Sequence, residues 1–537
     1  MKNLKYFKAY FFVFLSVVIF IIFGYKFIFA ANFLDNLKQK TASQKNEESA
    51  LAQPQSITQT GPALLLPPAL GTVKEIHNGN SDKVVFYIQD AHCNFEAQKN
   101  ISDIIEKLVK EKKLKLVALE GSTGYIDTAI FTSFPDEKVR KEVSTYFMRK
   151  GRINGAEFYA INSKEKENVI LCGIENKDYY AENLNAYRSI IPKKELVNKA
   201  ARELQGILEE LKKYIYSAEL VEFDRTVKAH NRDEMEFALF CKFLDSKCIA
   251  YKVDIAKFNN FSNLIKTMKL EEKIDFNKTE NERKEIITAL VSKDNKEKNS
   301  EIFQKSLLFK IGHIEPVEFY AFLLDTAKKN RIDTAKFENL NLYYTYLVEY
   351  KKIDTFSLFN EIYAIEELAK ESLFTSEPQR KLDILDKNIK IFIGMLDISL
   401  SKKEVEYFFK NKDTFAASEF VSFIETQCAN YGIQFAINEN IYIMDEMLPS
   451  FEIFYTMADK RDDEMVKNLS NKMLENSVNR AVLLTGGYHT DNITAMLRNA
   501  GISYIIIAPT ITNPDAPNPY LEIISGKKNT LEEALVE

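Results

Sequence analysis

The sequence predicts an α/β protein with a mostly parallel sheet flanked by helices and interrupted by a large all-helical insertion. Three observations predict it. Short β-branched runs alternate with amphipathic stretches from about residue 72 to 190, and the same alternation returns near the carboxyl terminus. Between these two parts, from 190 to 430, apolar residues recur at three- and four-residue spacing. The breakers there are few: Gly206, Gly312, Gly394, Pro192, Pro316 and Pro378. The organisation expected is an anchor or signal peptide (1–31), a flexible linker (32–70), a first core segment (71–190), a helical insertion (191–435) and a second core segment (436–537). No fixed-period repeat of the solenoid kind is read in the insertion, and the charged run Ser292–Ser300 is read as a solvated helix end or loop.

At the amino terminus, Lys2, Lys5 and Lys8 precede an uncharged run from Ala9 to Tyr25. Seventeen helical residues reach about 26 Å, close to the roughly 30 Å of a bilayer core. The expectation is a transmembrane anchor with the body on the extracytoplasmic side. A signal peptide cleaved near Ala30-Ala31 is the competing reading. Residues 32–70, rich in Gln, Ser, Thr, Asn and Pro, read as a tether.

The elements follow in order. Val84–Ile88 is strand-like, and Asn94 caps a helix with Ile101, Ile104, Ile105 and Leu108 on its apolar face. Leu114–Leu119 is a second strand, followed by a helical region past Arg140, and Asn168–Cys172 is a third. Later, a helix over Ile453–Asn476 leads into the strand Ala481–Leu484. Asp491 caps a short helix stopped by Gly501, and Tyr504–Ile507 closes the pattern.

Composition narrows the function classes. With 46% hydrophobic and 28% charged residues the chain is globular rather than disordered. A net charge of −5 implies no nucleic-acid-binding surface. Five cysteines without a CxxC pair argue against a disulfide scaffold or a cysteine-rich zinc module.

In a parallel sheet, ligands bind beyond the carboxyl ends of the strands. Those positions hold Gln89-Asp90-Ala91-His92-Cys93-Asn94-Phe95-Glu96, Glu120-Gly121-Ser122, Gly173-Ile174-Glu175 and Gly486-Gly487-Tyr488-His489. Singly, each has a structural explanation as a cap or turn residue. Together, two of the five histidines and two glutamates fall on one sheet edge. His77, His230 and His313 do not share that placement.

The ordered set Asp90-x-His92, Gln98, Leu119-Glu120 and Gly486-x-x-His489, with Arg461-Asp462-Asp463-Glu464-Met465 before the last element, resembles a superfamily. Its members are TraB and Tiki proteins, ChaN-type haem-binding lipoproteins and erythromycin esterases. The resemblance covers roughly 80–190 and 435–510. It departs at Gln89, where the family pattern has glycine, and in the size of the insertion. The resemblance implies a parallel α/β core and a site built from both histidine motifs. His92 and His489 would be metal ligands or bases, Glu120 an acid/base or third ligand, and Arg461 would orient a carboxylate or a substrate oxyanion. Glu175 or Glu96 would shuttle a proton, with Asp90, Glu96, Gln98, Gly486 and Asp462 near the substrate.

Three readings stand open. One is a membrane-tethered hydrolase acting on a peptide, ester or lactone, with His92, His489 and Glu120 holding a divalent metal or activating water without it. The second is a binding protein for haem or another hydrophobic ligand, and the third is an inactive helical scaffold. The partners expected are the membrane, a small-molecule or peptide substrate, and a second copy of the chain.

Overall fold

The structure, a computed structural model, describes residues 66–526 apart from 134, 164–168, 292–295, 312 and 514–515. The expected anchor and all of the linker before residue 66 lie outside these residues, as does part of the charged run at 292–300. No helix among the described residues is long and apolar enough to cross a membrane. The described chain forms two units, one of residues 217–375 and one combining the residues up to Tyr216 with those from Ser376 onward.

The second of these units holds the sheet. Its strands are β1 (Gly71–His77), β2 (Val84–Asp90), β3 (Leu116–Leu119), β4 (Thr123–Tyr125), β5 (Ile170–Ile174), β6 (Arg480–Gly486) and β7 (Ser503–Pro509). Their order is β1-β7-β2-β6-β3-β5-β4. The five central strands run parallel, and β1 and β4 close the edges antiparallel. Those two edge strands are absent from the sequence reading, because GTVKEIH carries no continuous apolar run and TGY is only three residues long.

The central strands are Val-, Ile- and Leu-rich because both faces are covered. Phe86, Ile88, Val117, Leu119, Val482, Leu484, Ile505 and Ile507 meet the helices Phe95–Lys112 and Gly155–Asn162 on one face. Val85, Tyr87, Leu116, Ala118, Ala481, Leu483, Tyr504 and Ile506 meet the long helix Ile443–Glu475 and the helix Thr490–Asn499 on the other. That alternation is the period of two expected of strands between two helical layers. Asn94 caps its helix by accepting from the Ala97 N–H, as read from sequence. Asp491 does not cap Thr490–Asn499; it lies within the first turn, and His489 occupies the N-cap position.

Between β5 and β6 the described chain is helical and without strands. The helix Lys177–Ile215 lies along Ile443–Glu475, where Asn183 Nδ2 donates to the Phe454 carbonyl at 2.6 Å and the Ser189 and Ser450 hydroxyls meet at 2.9 Å.

The unit 217–375 contains a two-copy duplication that the sequence reading, which found no repeat of the solenoid kind, did not detect. The helices Ala218–Asn231, Phe237–Ala250, Asn259–Glu271 and Phe276–Val291 are followed, 79 residues later (237 to 316, 259 to 338), by Lys296–Lys310, Pro316–Lys329, Glu338–Lys351 and Thr355–Leu373. The loop residues Asp254, Ala256, Lys257, Phe258 and Asn260 recur as Asp333, Ala335, Lys336, Phe337 and Asn339. Lys252 and Arg331 share a left-handed backbone, with φ of 56° and 58°. His230 stacks on Phe240 at 4.0 Å as Phe309 does on Phe319 at 4.2 Å.

The two copies clasp each other reciprocally. Glu282 accepts from the Leu340 N–H at 2.7 Å, and the equivalent Glu361 accepts from the Phe261 N–H at 2.8 Å. Asn339 accepts from the Asp275 N–H at 3.1 Å, and Asn260 from the Asp354 N–H at 2.8 Å. The likeness sits in a few loop and contact residues while the exposed helix faces differ, so composition carries no visible period.

Candidate active site

The strand order brings β2, β6, β3 and β5 side by side, so the residues after their carboxyl ends form one cluster. His92 follows β2, His489 follows β6, Glu120 follows β3 and Glu175 follows β5.

Glu120 is the centre. Its Oε1 lies 3.2 Å from His489 Nε2 and accepts from Arg461 Nη2 at 2.8 Å. Its Oε2 accepts the Gly486 N–H at 2.7 Å and lies 3.7 Å from His92 Nε2. Each imidazole is braced from behind through Nδ1. Asp90 Oδ2 holds His92 at 2.8 Å, and Asp462 Oδ1 holds His489 at 2.5 Å. The braces are themselves braced. Gln98 Nε2 donates to Asp90 Oδ1 at 2.6 Å while its oxygen accepts the Gly155 N–H at 2.7 Å, and Asn492 donates to Asp462 Oδ2 at 2.7 Å. Two aspartate–imidazole pairs therefore converge on one glutamate.

Arg461 projects from the long helix and is 5% exposed. Its Nε and Nη2 fork onto Glu175 at 3.1 and 2.5 Å, and its Nη1 donates to Asn183 Oδ1 at 3.1 Å. Glu175 also accepts the Gly121 N–H at 3.2 Å. Arg461 thus orients carboxylates, one half of its expected role. With all three nitrogens engaged it is not free to bind a substrate oxyanion. Glu175, buried and forked to Arg461, is a support and not a proton shuttle.

Electrostatics follow from this packing. Burial lowers the affinity of His92 for its proton, but the charge and hydrogen bond of Asp90 and the charge of Glu120 outweigh it, raising its pKa to about 9. His489 is raised to about 10 against the same burial effect, chiefly by Glu120 and by the Asp462 hydrogen bond. Burial pushes Glu120 up, but His489, His92 and Arg461 hold its carboxyl well below the usual carboxylate range.

Further expectations are corrected. Glu96 points away from the imidazoles: its carboxylate accepts from the Thr512 N–H at 2.8 Å and the Thr512 hydroxyl at 2.9 Å. The proposed metal set His92, His489 and Glu120 also does not fit a divalent cation. No group of three or more His, Cys, Asp and Glu among the described residues is disposed to hold one. The positive charge facing Glu120 is already supplied by Arg461, 2.8 Å away, which would repel a second cation.

Asp90, Gln98 and Asp462, expected near the substrate, stand behind the imidazoles. Gly486 belongs to the site for a steric reason. A Cβ there would lie 2.9 Å from His92 Nε2 and 3.5 Å from Glu120 Oε2. Gln89, the departure from the family pattern, is buried and donates to Thr490 Oγ1 at 3.1 Å, tying β2 to the helix after β6. Asn183, Asn492 and Tyr520 were not found from sequence. The first two sit inside helical patterns without a motif; Tyr520 follows β7, whose carboxyl end completes the row of loops.

Comparison of the chain with protein-family models, with curated proteins and with solved structures gave no match.

Proposed function

We propose that the chain hydrolyses a carboxylic ester or lactone without a metal, in the manner of the esterase branch of the superfamily that its motifs resemble. The observation that supports this reading is the convergence of two aspartate-braced imidazoles on Glu120. His92 is the member of the cluster that meets solvent, with 27% of its side chain exposed, and its Nε2 makes no hydrogen bond among the described residues. In its neutral form that nitrogen takes a proton from water as the water oxygen bonds to the substrate carbonyl carbon. The imidazolium, stabilised by Asp90, then returns the proton to the leaving alkoxide as its bond to carbon breaks. Glu120, Arg461 and His489 fix the charge around the ring. An ester suits this apparatus better than a peptide bond, because an alkoxide leaves more readily than an amide nitrogen and needs no metal to polarise the carbonyl.

The raised pKa of His92 sets the pH dependence. Below about pH 9 the ring is protonated and cannot act as base. The rate should therefore climb about tenfold per pH unit and level off above that point. The test is hydrolysis of an aryl ester and a macrocyclic lactone by the purified protein, with and without chelator. We expect chelator-insensitive turnover and a loss of about 100-fold or more in His92→Asn. Turnover abolished by chelator would overturn the metal-free mechanism. Absence of turnover on every ester from pH 6 to 10 would overturn the hydrolytic reading and favour the inactive scaffold.

A further inference from the structure

After β7, the described residues 510–513 and 516–526 lie against the site. Thr512 is held by Glu96 at the start of the helix Phe95–Lys112. Asn518 Nδ2 donates to the His92 carbonyl at 2.8 Å. The ring of Tyr520 then stacks on the imidazole of His92, with centroids 5.0 Å apart and planes 25° from parallel. Beyond it, the Ile524 carbonyl accepts from Arg188 Nε at 2.9 Å, and Ile523 reaches so near Gly151 that a Cβ there would lie 2.8 Å from it.

One face of the His92 ring is thus covered by a tyrosine of the same chain, which crowds the approach to it. The holding contacts are of a kind that opens at low cost. Most of these hydrogen bonds are exposed, and the short helix Tyr520–Ile524 buries no residue fully. A segment of the permanent core would instead bury an apolar face, as the helix Thr490–Asn499 does with Ile493 and Leu497.

We propose that Asn518–Ser525 is an autoinhibitory strap, which covers His92 in the resting protein and must swing away before an acyl substrate can reach it. This regulation rests on the hydrolytic reading for its purpose, but not for its existence. A substrate with a flat apolar group would displace Tyr520 by taking over its stacking on the imidazole.

The experiment is carbethoxylation of the full chain by diethyl pyrocarbonate, with each histidine followed by mass spectrometry, in wild type, Tyr520→Ala and Glu96→Gln. The second variant loosens the strap from its far end and leaves the tyrosine in place. His92 should react about fivefold faster or more in both variants, while His77, remote from the strap, keeps its rate. An unchanged His92 rate in both would overturn the strap. In parallel, kcat/KM for the aryl ester should rise in both variants. A fall in both, with His92 labelled faster, would overturn autoinhibition, since Tyr520 would then build the substrate site. If the wild type turns over no ester, labelling still decides the strap, and only the hydrolytic reading falls.

Discussion

Gly486 is where a single atom matters most. It ends β6 at the point where the backbone N–H must reach Glu120, and the space a side chain would need is filled by the His92 ring. Gly486→Ala should keep the fold, because the φ of −58° suits alanine, but should push His92 away from Glu120. We expect esterase activity to fall about 100-fold with little change in thermal melting. Wild-type activity in this variant would mean that the ring position is not critical. The same residues couple the site to stability. Both imidazoles have pKa values raised from 6.5, to about 9 and about 10. Their stabilising contribution is complete below pH 6.5 and is given up as the pH rises through 9 to 10, the range in which the His92 ring loses its proton. His92 and His489 were legible in the sequence because histidine is scarce and both follow strands. The opposite roles of Glu96 and Glu175 were not legible. Which way a carboxylate points depends on neighbours far along the chain, Thr512 for one and Arg461 for the other.

At the scale of elements, the long helix Ile443–Glu475 carries Arg461 and Asp462 on adjacent positions, and both point into the site. Arg461 reaches Glu120 and Glu175 while Asp462 reaches His489, so one helix sets both the central carboxylate and one imidazole. Arg461→Ala leaves two buried carboxylates close together without their cation. It should cost about 3–5 kcal/mol in urea unfolding, and Arg461→Lys should not restore it, since a lysine cannot fork to both glutamates. A loss under about 1 kcal/mol for Arg461→Ala would show that water or a shifted proton compensates. The central strands were readable because each is a run of apolar residues covered on both faces. The edges β1 and β4 were not, since an edge strand needs little apolar sequence and is defined by its neighbour.

For the whole molecule, the repeat within 217–375 is the feature that sequence patterning concealed most completely. Helical periodicity announced helices but not their equivalence, which lies in contacts between the copies. If the two halves are equivalent, Glu282→Ala and Glu361→Ala should destabilise this unit by similar amounts, about 1–3 kcal/mol each. Hydrogen exchange of the Leu340 and Phe261 amides would read the loss at each end of the clasp. Protection lost at one amide and kept at the other in both variants would refute the equivalence. The sheet has a different consequence, for the order in which the protein can be assembled. Both neighbours of β2, the strands β6 and β7, begin at Arg480 or later, nearly four hundred positions downstream. A ribosome that has produced His92 and Glu120 has therefore made only half of the cluster. The cluster closes only once Arg461, Asp462 and His489 have emerged, so a chain cut short anywhere in its helical interior lacks the other half.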